Sequence, residues 1–352
     1  LIADAAGLEE LLDRIADLSV LAVDTEADSL HCYFEKLCLI QISTPTEHVL
    51  IDPLAEIPIA PLLDAFADKR VIFHGADYDL RMLRRAGSFE PRDIFDTMIA
   101  SRLCGVDQLG LGALVEKHFG VQLSKSSQKA NWARRPLPAE MIEYAMNDTR
   151  YLLELAERIE AELHRLGRWD WFTESRDRMV ASSREIKERD EDSVWRISGS
   201  ARLGPRAQSI LRVLWFWRDA EARAWNRPPF HVASNDDLLR ISECSAAGRP
   251  FSTPRMTSRR RRSFEVTLAL ALQVPEAEWP RIERKRGKRR TNEQLKRFDE
   301  LRAVRDRIAV DLQIDPAILA SRGALEAISI DANSPALMRW QRELIGLTAL
   351  AA

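Results

Sequence analysis

Two acidic residues two positions apart, Asp24 and Glu26 in "VDTE", close an apolar run that reads as a strand. Side chains two apart on a strand share a face, so both carboxylates point the same way at a strand end. Desolvated anions repel unless a cation sits between them, and an all-oxygen donor set suits Mg²⁺ or Mn²⁺. The competing reading is an exposed acidic pair. A second junction, "HGADYDL", carries Asp77 and Asp79 where a strand gives way to a helix. Asp77 suits a helix N-terminus as a capping acid; Asp79, further in, would face back toward the sheet. A third stretch, "YAMNDTRYLLEL", sets Tyr144 four residues before Asp148, on one face of a helix. That adds a phenol and a fourth carboxylate, against the alternative of a half-buried Tyr beside a solvated Asp.

The elements that must carry these residues alternate through the first half of the chain. Apolar runs at 19–27, 36–44, 47–53, 70–76 and 93–97 read as strands. The first three, joined by short turns, predict an antiparallel meander. Helices are expected at 61–69, 77–87, 98–104 and 109–119, and one long helix runs from Pro138 to about 166. Together they predict an α/β domain built on a mixed five-stranded sheet with flanking helices. Residues 121–137 lack a period and read as a polar, basic loop. There Lys129, Trp132, Arg134 and Arg135 combine cations with an aromatic face, a set that can follow phosphates and stack a base. Alternatively, Trp132 is a packing anchor and Arg135 caps a helix. His74 ends the fourth strand, placed either to contact phosphate or to serve the fold. The α/β domain is expected over 1–170 and a charged linker with some helix over 171–202. Two all-α domains follow, over 203–280 and 291–352.

Composition narrows the class. The 352 residues are 45% hydrophobic and 30% charged, ordinary for a globular protein. No apolar run approaches the roughly 18 residues of a membrane span, and the first helix is acidic, unlike a signal peptide. The opening Leu1 in place of Met implies a native start further upstream. Cys32, Cys38, Cys104 and Cys244 have neither zinc-ligand nor redox spacing, which predicts reduced thiols and a cytoplasmic location. Residues 1–80 hold 4 basic and 16 acidic residues, net −12, whereas 249–290 hold 13 and 4, net +9. Such polarity fits a cation-binding part joined to a polyanion-binding part, or two solvated surfaces of opposite sign.

"LAVDTEADSL", "LCLIQIS", "FHGADYDLRML", "NWARRPL" and "YAMNDTRYLLEL" together, in this order, resemble the DEDD superfamily of 3′→5′ exonucleases in its tyrosine-bearing branch. Within it the chain is similar to the ribonuclease D family, closely so over about residues 1–170. "ILRVLWFWRDAEARAWNRPPFHVASNDDLLRIS" resembles the helical HRDC module, and "LRAVRDRIAVDLQIDPAIL" a divergent second copy. The resemblance implies an RNase H-like exonuclease fold followed by two HRDC-like domains. It implies hydrolysis with two divalent ions, Mg²⁺ or Mn²⁺, held by Asp24, Glu26, Asp79 and Asp148. Asp24 would be shared between the ions, Glu26 and Asp148 would serve the first and Asp79 the second, with Tyr144 orienting the attacking water. The implied products are nucleoside 5′-monophosphates, and the implied substrates are structured RNAs, tRNA precursors with 3′ extensions above all. No membrane partner is expected, and a monomer is favoured. "DTEADSLHCYFEKLCL" departs from the family's aromatic and basic pattern after its first acids, which leaves fine substrate preference open. The arginines at 259–262 and the cluster from Arg284 to Arg290 would meet phosphates at long range or form a basic linker. Two other functions compete: a DNA 3′→5′ exonuclease of the proofreading or Werner type, and a catalytically silent nucleic-acid-binding protein. The intact acids argue against the second.

Overall fold

The computed structural model describes residues 1–185, 189–280 and 290–347. Two compact units divide the chain. The first holds Leu1–Ala27, Leu37–Glu185 and, among the described residues, 290–347; the second holds Asp28–Lys36 and 189–280.

In the first unit, α1 (Ala5–Ile15) precedes strands β1 (Val20–Ala27), β2 (Leu37–Ser43) and β3 (His48–Ile51). Then come α2 (Ala60–Asp64), β4 (Arg70–Phe73), α3 (Asp77–Ala86), β5 (Asp93–Asp96), α4 (Thr97–Leu103) and α5 (Leu111–Phe119). The sheet order is β3-β2-β1-β4-β5. β1 runs antiparallel to β2, β2 antiparallel to β3, and β4 parallel to both β1 and β5, the mixed sheet expected from the alternation. Leu21 and Val23 of β1 face a core with Ile40, Ile42 and Phe73, while Ala22 faces one with Ile72 and Phe95. β4 pairs with β1 only from Val20 to Ala22. Asp24 and Glu26 therefore lie past the end of β4, where α3 begins. The β1–β2 register slips between Glu26 and Ala27, a bulge of the kind that re-aims side chains beside a site.

The expected long helix is two helices, α6 (Ala139–Arg150) and α7 (Leu152–Arg165), joined at Tyr151. They serve different cores. Met141 and Ala145 of α6 pack on Cys38, Leu39, Leu50 and Trp132, whereas Leu152, Leu155, Ile159 and Leu163 of α7 pack with Phe95 and Leu114.

The expected linker over 171–202 needs a similar correction. Trp169–Arg184 forms α8, whose Phe172 ring meets Phe95 at 4.7 Å and a tilt of 42° and whose Arg176 pairs with Asp93 at 2.6 Å. Only Phe172 and Ser183 of this helix are fully buried, too few to print a clear period.

The boundary drawn at 291 does not isolate a separate body either. Helices α12 (Asn292–Leu312), α13 (Pro316–Leu319), α14 (Arg322–Ile330) and α15 (Arg339–Leu344) belong to the first unit, numbered after the second unit's three helices. Ala309, Ile314, Leu319 and Trp340 enter the same core as Phe95 and Leu155. Trp340 stacks on Trp171 at 4.8 Å and 11°. Arg168 donates to the carbonyls of Leu103 and Leu312, both at 2.7 Å. Beyond this junction, α12 and α14 have a small core of their own, with Leu301, Leu325 and Ile328.

The second unit is α9 (Pro205–Trp225), α10 (Asn235–Ala246) and α11 (Ser258–Gln273) around Trp195, Leu214, Trp217, Leu238 and Phe264. The 28–36 segment is tied into it. Tyr33 Oη donates to Asp219 at 3.0 Å, and the Tyr33 and Phe34 N–H groups both donate to Asn226 Oδ1 at 3.1 Å. Residues 258–262 open α11 under a Thr257 cap rather than forming a loose linker. Arg260 is 8% exposed and shares Glu221 with Arg259, so neither is a simple phosphate contact; Arg261 and Arg262 are exposed. The basic cluster from Arg284 lies outside the described residues except for Arg290, which pairs with Glu326 at 3.2 Å.

Candidate active site

The alternation of β1 puts Asp24 and Glu26 on one face, and α6 crosses that face. One carboxylate oxygen each from Asp24, Glu26 and Asp148 lie within 4.8 Å of one another. Asp79, 5% exposed in α3, completes the group through Thr25, whose hydroxyl donates to Asp79 Oδ1 at 2.6 Å.

Charge crowding dominates this cluster. Burial holds the Asp24 carboxyl well above the usual range, and the Asp79, Asp148 and Glu26 carboxylates add to the shift against one Thr25 backbone N–H that opposes it. Glu26 is pushed up to about 9 by burial, then by Asp148 and Asp79. Asp148 rises to about 7 for the same reasons, burial first and then Asp79. Asp79 also rises to about 7 by burial, with Thr25 opposing. Among the described residues no Lys or Arg acts on Asp24, Glu26 or Asp148 to offset this. A set of converging carboxylate oxygens without a basic partner fits hard divalent cations such as Mg²⁺ or Mn²⁺, which take oxygen ligands.

Tyr144 lies one turn before Asp148, and its ring meets Trp132 at 6.0 Å and 42°. Burial and the Asp148, Glu26 and Asp24 charges push its hydroxyl pKa up, so the phenol stays protonated. It can donate and accept hydrogen bonds but cannot act as a free base. Tyr144 and Asp148 line a cleft of about 340 Å³ with Lys125, Gln128 and the first turn of α5, Gly110 to Ala113. A larger cleft of about 620 Å³ is lined by His48, Arg70, Arg150 and Glu157 and contains none of these acids, so size does not mark the chemistry here.

The remaining candidates divide. Trp132 is 1% exposed and sits in the α6 core, so it is the packing anchor and not a stacking face. Arg135 donates from Nε and Nη2 to Asp52 at 2.5 and 2.6 Å, and to the carbonyls of Cys38, Trp132 and Arg134. Its guanidinium is committed to the fold. Lys129 and Arg134 are exposed on the loop. His74 shares a hydrogen bond of 2.9 Å between Nδ1 and Thr97 Oγ1. Burial lowers its pKa, opposed by Asp96 and the Leu109 backbone; a neutral, buried imidazole is the structural alternative.

Two positioning residues escaped the sequence reading. Thr25 stands between the two acids and carries the link to Asp79. Asp96 caps α4, accepting from the Met98 and Ile99 N–H groups, and also takes the Gly75 and Ala76 N–H groups at 3.1 and 2.8 Å. It thereby fixes the turn that launches α3 and Asp79. Gly75 occupies φ +83 in that turn, and an added Cβ would come within 3.0 Å of Met98, so the turn needs glycine. The Asp-Thr pair before a helix was the available capping signal for Asp96.

A family model described as 3′-5′ exonuclease matches residues 1–164. Ribonuclease D of Nitrobacter hamburgensis is 30% identical over 365 aligned positions, covering all of this chain and 94% of that protein. Two solved structures share the fold. A protein from Bifidobacterium adolescentis has a TM-score of 0.79 at 24% identity, over 96% of this chain and 93% of that one. Escherichia coli RNase D has a TM-score of 0.71 at 22% identity, over 98% and 96%. With a curated relative matched over nearly its whole length and an exonuclease model over the acidic sheet, the chain belongs to the ribonuclease D family of hydrolytic 3′→5′ exoribonucleases.

Proposed function

We propose that this chain trims structured RNAs from the 3′ end, tRNA precursors with 3′ extensions among them, releasing nucleoside 5′-monophosphates. The observation that carries the reading is the convergence of Asp24, Glu26 and Asp148 within 4.8 Å, with Tyr144 one turn from Asp148. Asp24, Glu26 and Asp148, with Asp79 beside Thr25, would hold two divalent ions, Mg²⁺ or Mn²⁺. When bound, the ions supply positive charge to the attacking and leaving oxygens of an in-line displacement. Asp24, acted on by Asp79 as well as by Glu26 and Asp148, is the natural shared ligand. The Tyr144 hydroxyl, held protonated by the surrounding acids, orients the attacking water by hydrogen bonding and does not itself remove the proton. Water attacks the last phosphorus, the 3′ oxygen of the preceding nucleotide leaves and takes a proton, and the strand shortens by one.

Lys129 and Arg134, exposed on the loop after α5, are the phosphate contacts we assign nearest the site. The α9–α11 unit reads as one HRDC-like module and the α12–α15 block as a divergent second. The E. coli structure is titled as an exoribonuclease involved in structured RNA processing, and the same substrate class suits this chain. Free cysteines agree with a reducing cytoplasm, where we expect a monomer. Among the described residues no helix is long and apolar enough to cross a membrane. The deciding experiment incubates 3′-extended tRNA and matched single-stranded DNA with the protein and Mg²⁺ or Mn²⁺. Stepwise shortening of the RNA supports the reading; degradation of DNA alone, or no hydrolysis with either cation, overturns it.

A further inference from the structure

Gln41 lies near the middle of the sheet, opposite Asp24 on β1 and Leu50 on β3. Directly paired residues of an antiparallel ladder point to the same face, with Cβ atoms about 4.5–5.5 Å apart. The face is the one α6 covers, between the Asp24 carboxylate and the apolar set of Leu39, Leu50 and Ala145. Gln41 is 0% exposed, and among the described residues neither its Nε2 nor its Oε1 has a hydrogen-bond partner. Ser43, two residues along the same face, is fully satisfied by His48 and Thr149 at 2.8 and 2.7 Å. An amide buried at the sheet centre without a partner disfavours the fold, and an apolar residue would complete the cluster better. The choice of glutamine answers a different need. A Lys or Arg here would pair permanently with Asp24 and compete with cations for it. A Glu would add another carboxyl to a crowded site. A neutral amide can donate to an anion without neutralising it.

We infer that Gln41 is a positioning residue for Asp24: its Nε2–H reaches the Asp24 carboxylate across one water and holds it in the orientation that ligates a cation. The inference rests on the cation-centre reading above. Groups that orient metal ligands are worth about 10–100-fold in affinity or activity.

The test uses the full chain with Gln41→Met, which keeps length and burial, and Gln41→Leu as a second apolar variant should the first misfold. Mn²⁺ affinity is measured by calorimetry without RNA, single-turnover RNA hydrolysis at saturating Mn²⁺, and thermal unfolding in EDTA. We expect Mn²⁺ affinity and the single-turnover rate each to fall roughly 10–100-fold, while the EDTA melting temperature stays level or rises. A glutamine that serves only the fold would lower the melting temperature and leave Mn²⁺ affinity unchanged, and that result overturns the inference. So does wild-type affinity and rate in either folded variant. If the wild type binds Mn²⁺ but hydrolyses no RNA, the ribonuclease reading fails while the affinity comparison still decides the role of Gln41.

Discussion

Glu26→Gln should make the cation-free protein more stable and the cation-loaded protein less so. The Glu26 carboxyl is pushed from an ordinary 4.5 up to about 9. Between those values the folded chain holds a proton that the unfolded chain has released. The unfolded state then binds fewer protons, so stability falls as pH rises through this window. The penalty is absent below about pH 4 and complete above about pH 9. At pH 7 it spans roughly 2.5 pH units above the unfolded value, about 3 kcal/mol at 1.36 kcal/mol per unit. Glutamine keeps the shape and carries no proton to lose. At about 2–4 °C per kcal/mol, the variant should melt roughly 6–12 °C above wild type near pH 7 in EDTA, and level with it near pH 4.5. Saturating Mn²⁺ should reverse the order, because the cation takes the proton's place in the wild type and finds one ligand charge fewer in the variant. Differential scanning calorimetry across pH, with EDTA and with Mn²⁺, reads both effects. A variant that melts at or below wild type in EDTA near pH 8 would refute the argument that these acids crowd one another.

Cation affinity should tighten from about pH 6 to pH 8, since Asp79 and Asp148 rise to about 7 and must lose protons to ligate; calorimetry in buffers of different ionisation enthalpy should report the released protons. Tyr144→Phe should lower the single-turnover rate by roughly 10²-fold or more with RNA and Mn²⁺ affinity unchanged, and a wild-type rate would reduce Tyr144 to packing. Arg135→Ala should cost stability of about 1–3 kcal/mol by removing the guanidinium donors to Asp52 and to three carbonyls, while Arg134→Ala should weaken RNA binding at constant melting temperature. Trp340→Ala should destabilise the first unit by about 3–5 kcal/mol, read as earlier thermal loss of nuclease activity.

The chemistry was the most legible part of this sequence. Asp24 and Glu26 share a face by the two-residue period of a strand, and Tyr144 and Asp148 by the four-residue period of a helix, both local properties. The antiparallel meander of the first three strands followed from short turns, also local. What stayed hidden depends on contacts far apart in sequence. The sequence leaves Trp132 and Arg135 open between an RNA-binding pair and a packing anchor with a cap, because aromatic and cation suit both; Tyr144, Cys38 and Asp52, brought in from elsewhere, decide for packing. α8 was read as linker because the first unit buries few of its residues completely. The C-terminal boundary failed because Ile314, Leu319 and Trp340 complete a core begun by Phe95. By the same contacts, removing everything after about residue 200 would strip part of the nuclease core along with the basic half, so loss of RNA binding in such a truncation would not isolate the basic segment.

That shared core also bears on how the protein is made. Phe95 and Trp340 belong to one cluster, yet a ribosome delivers the second roughly 250 residues after the first, on the order of 10–50 s later at about 5–20 residues per second. Throughout that interval the acidic sheet has emerged but the apolar surface awaiting Ile314, Leu319 and Trp340 has nothing to cover it. The nascent chain is thus synthesised as an incomplete nuclease, its core closed only when α13 and α15 have left the tunnel.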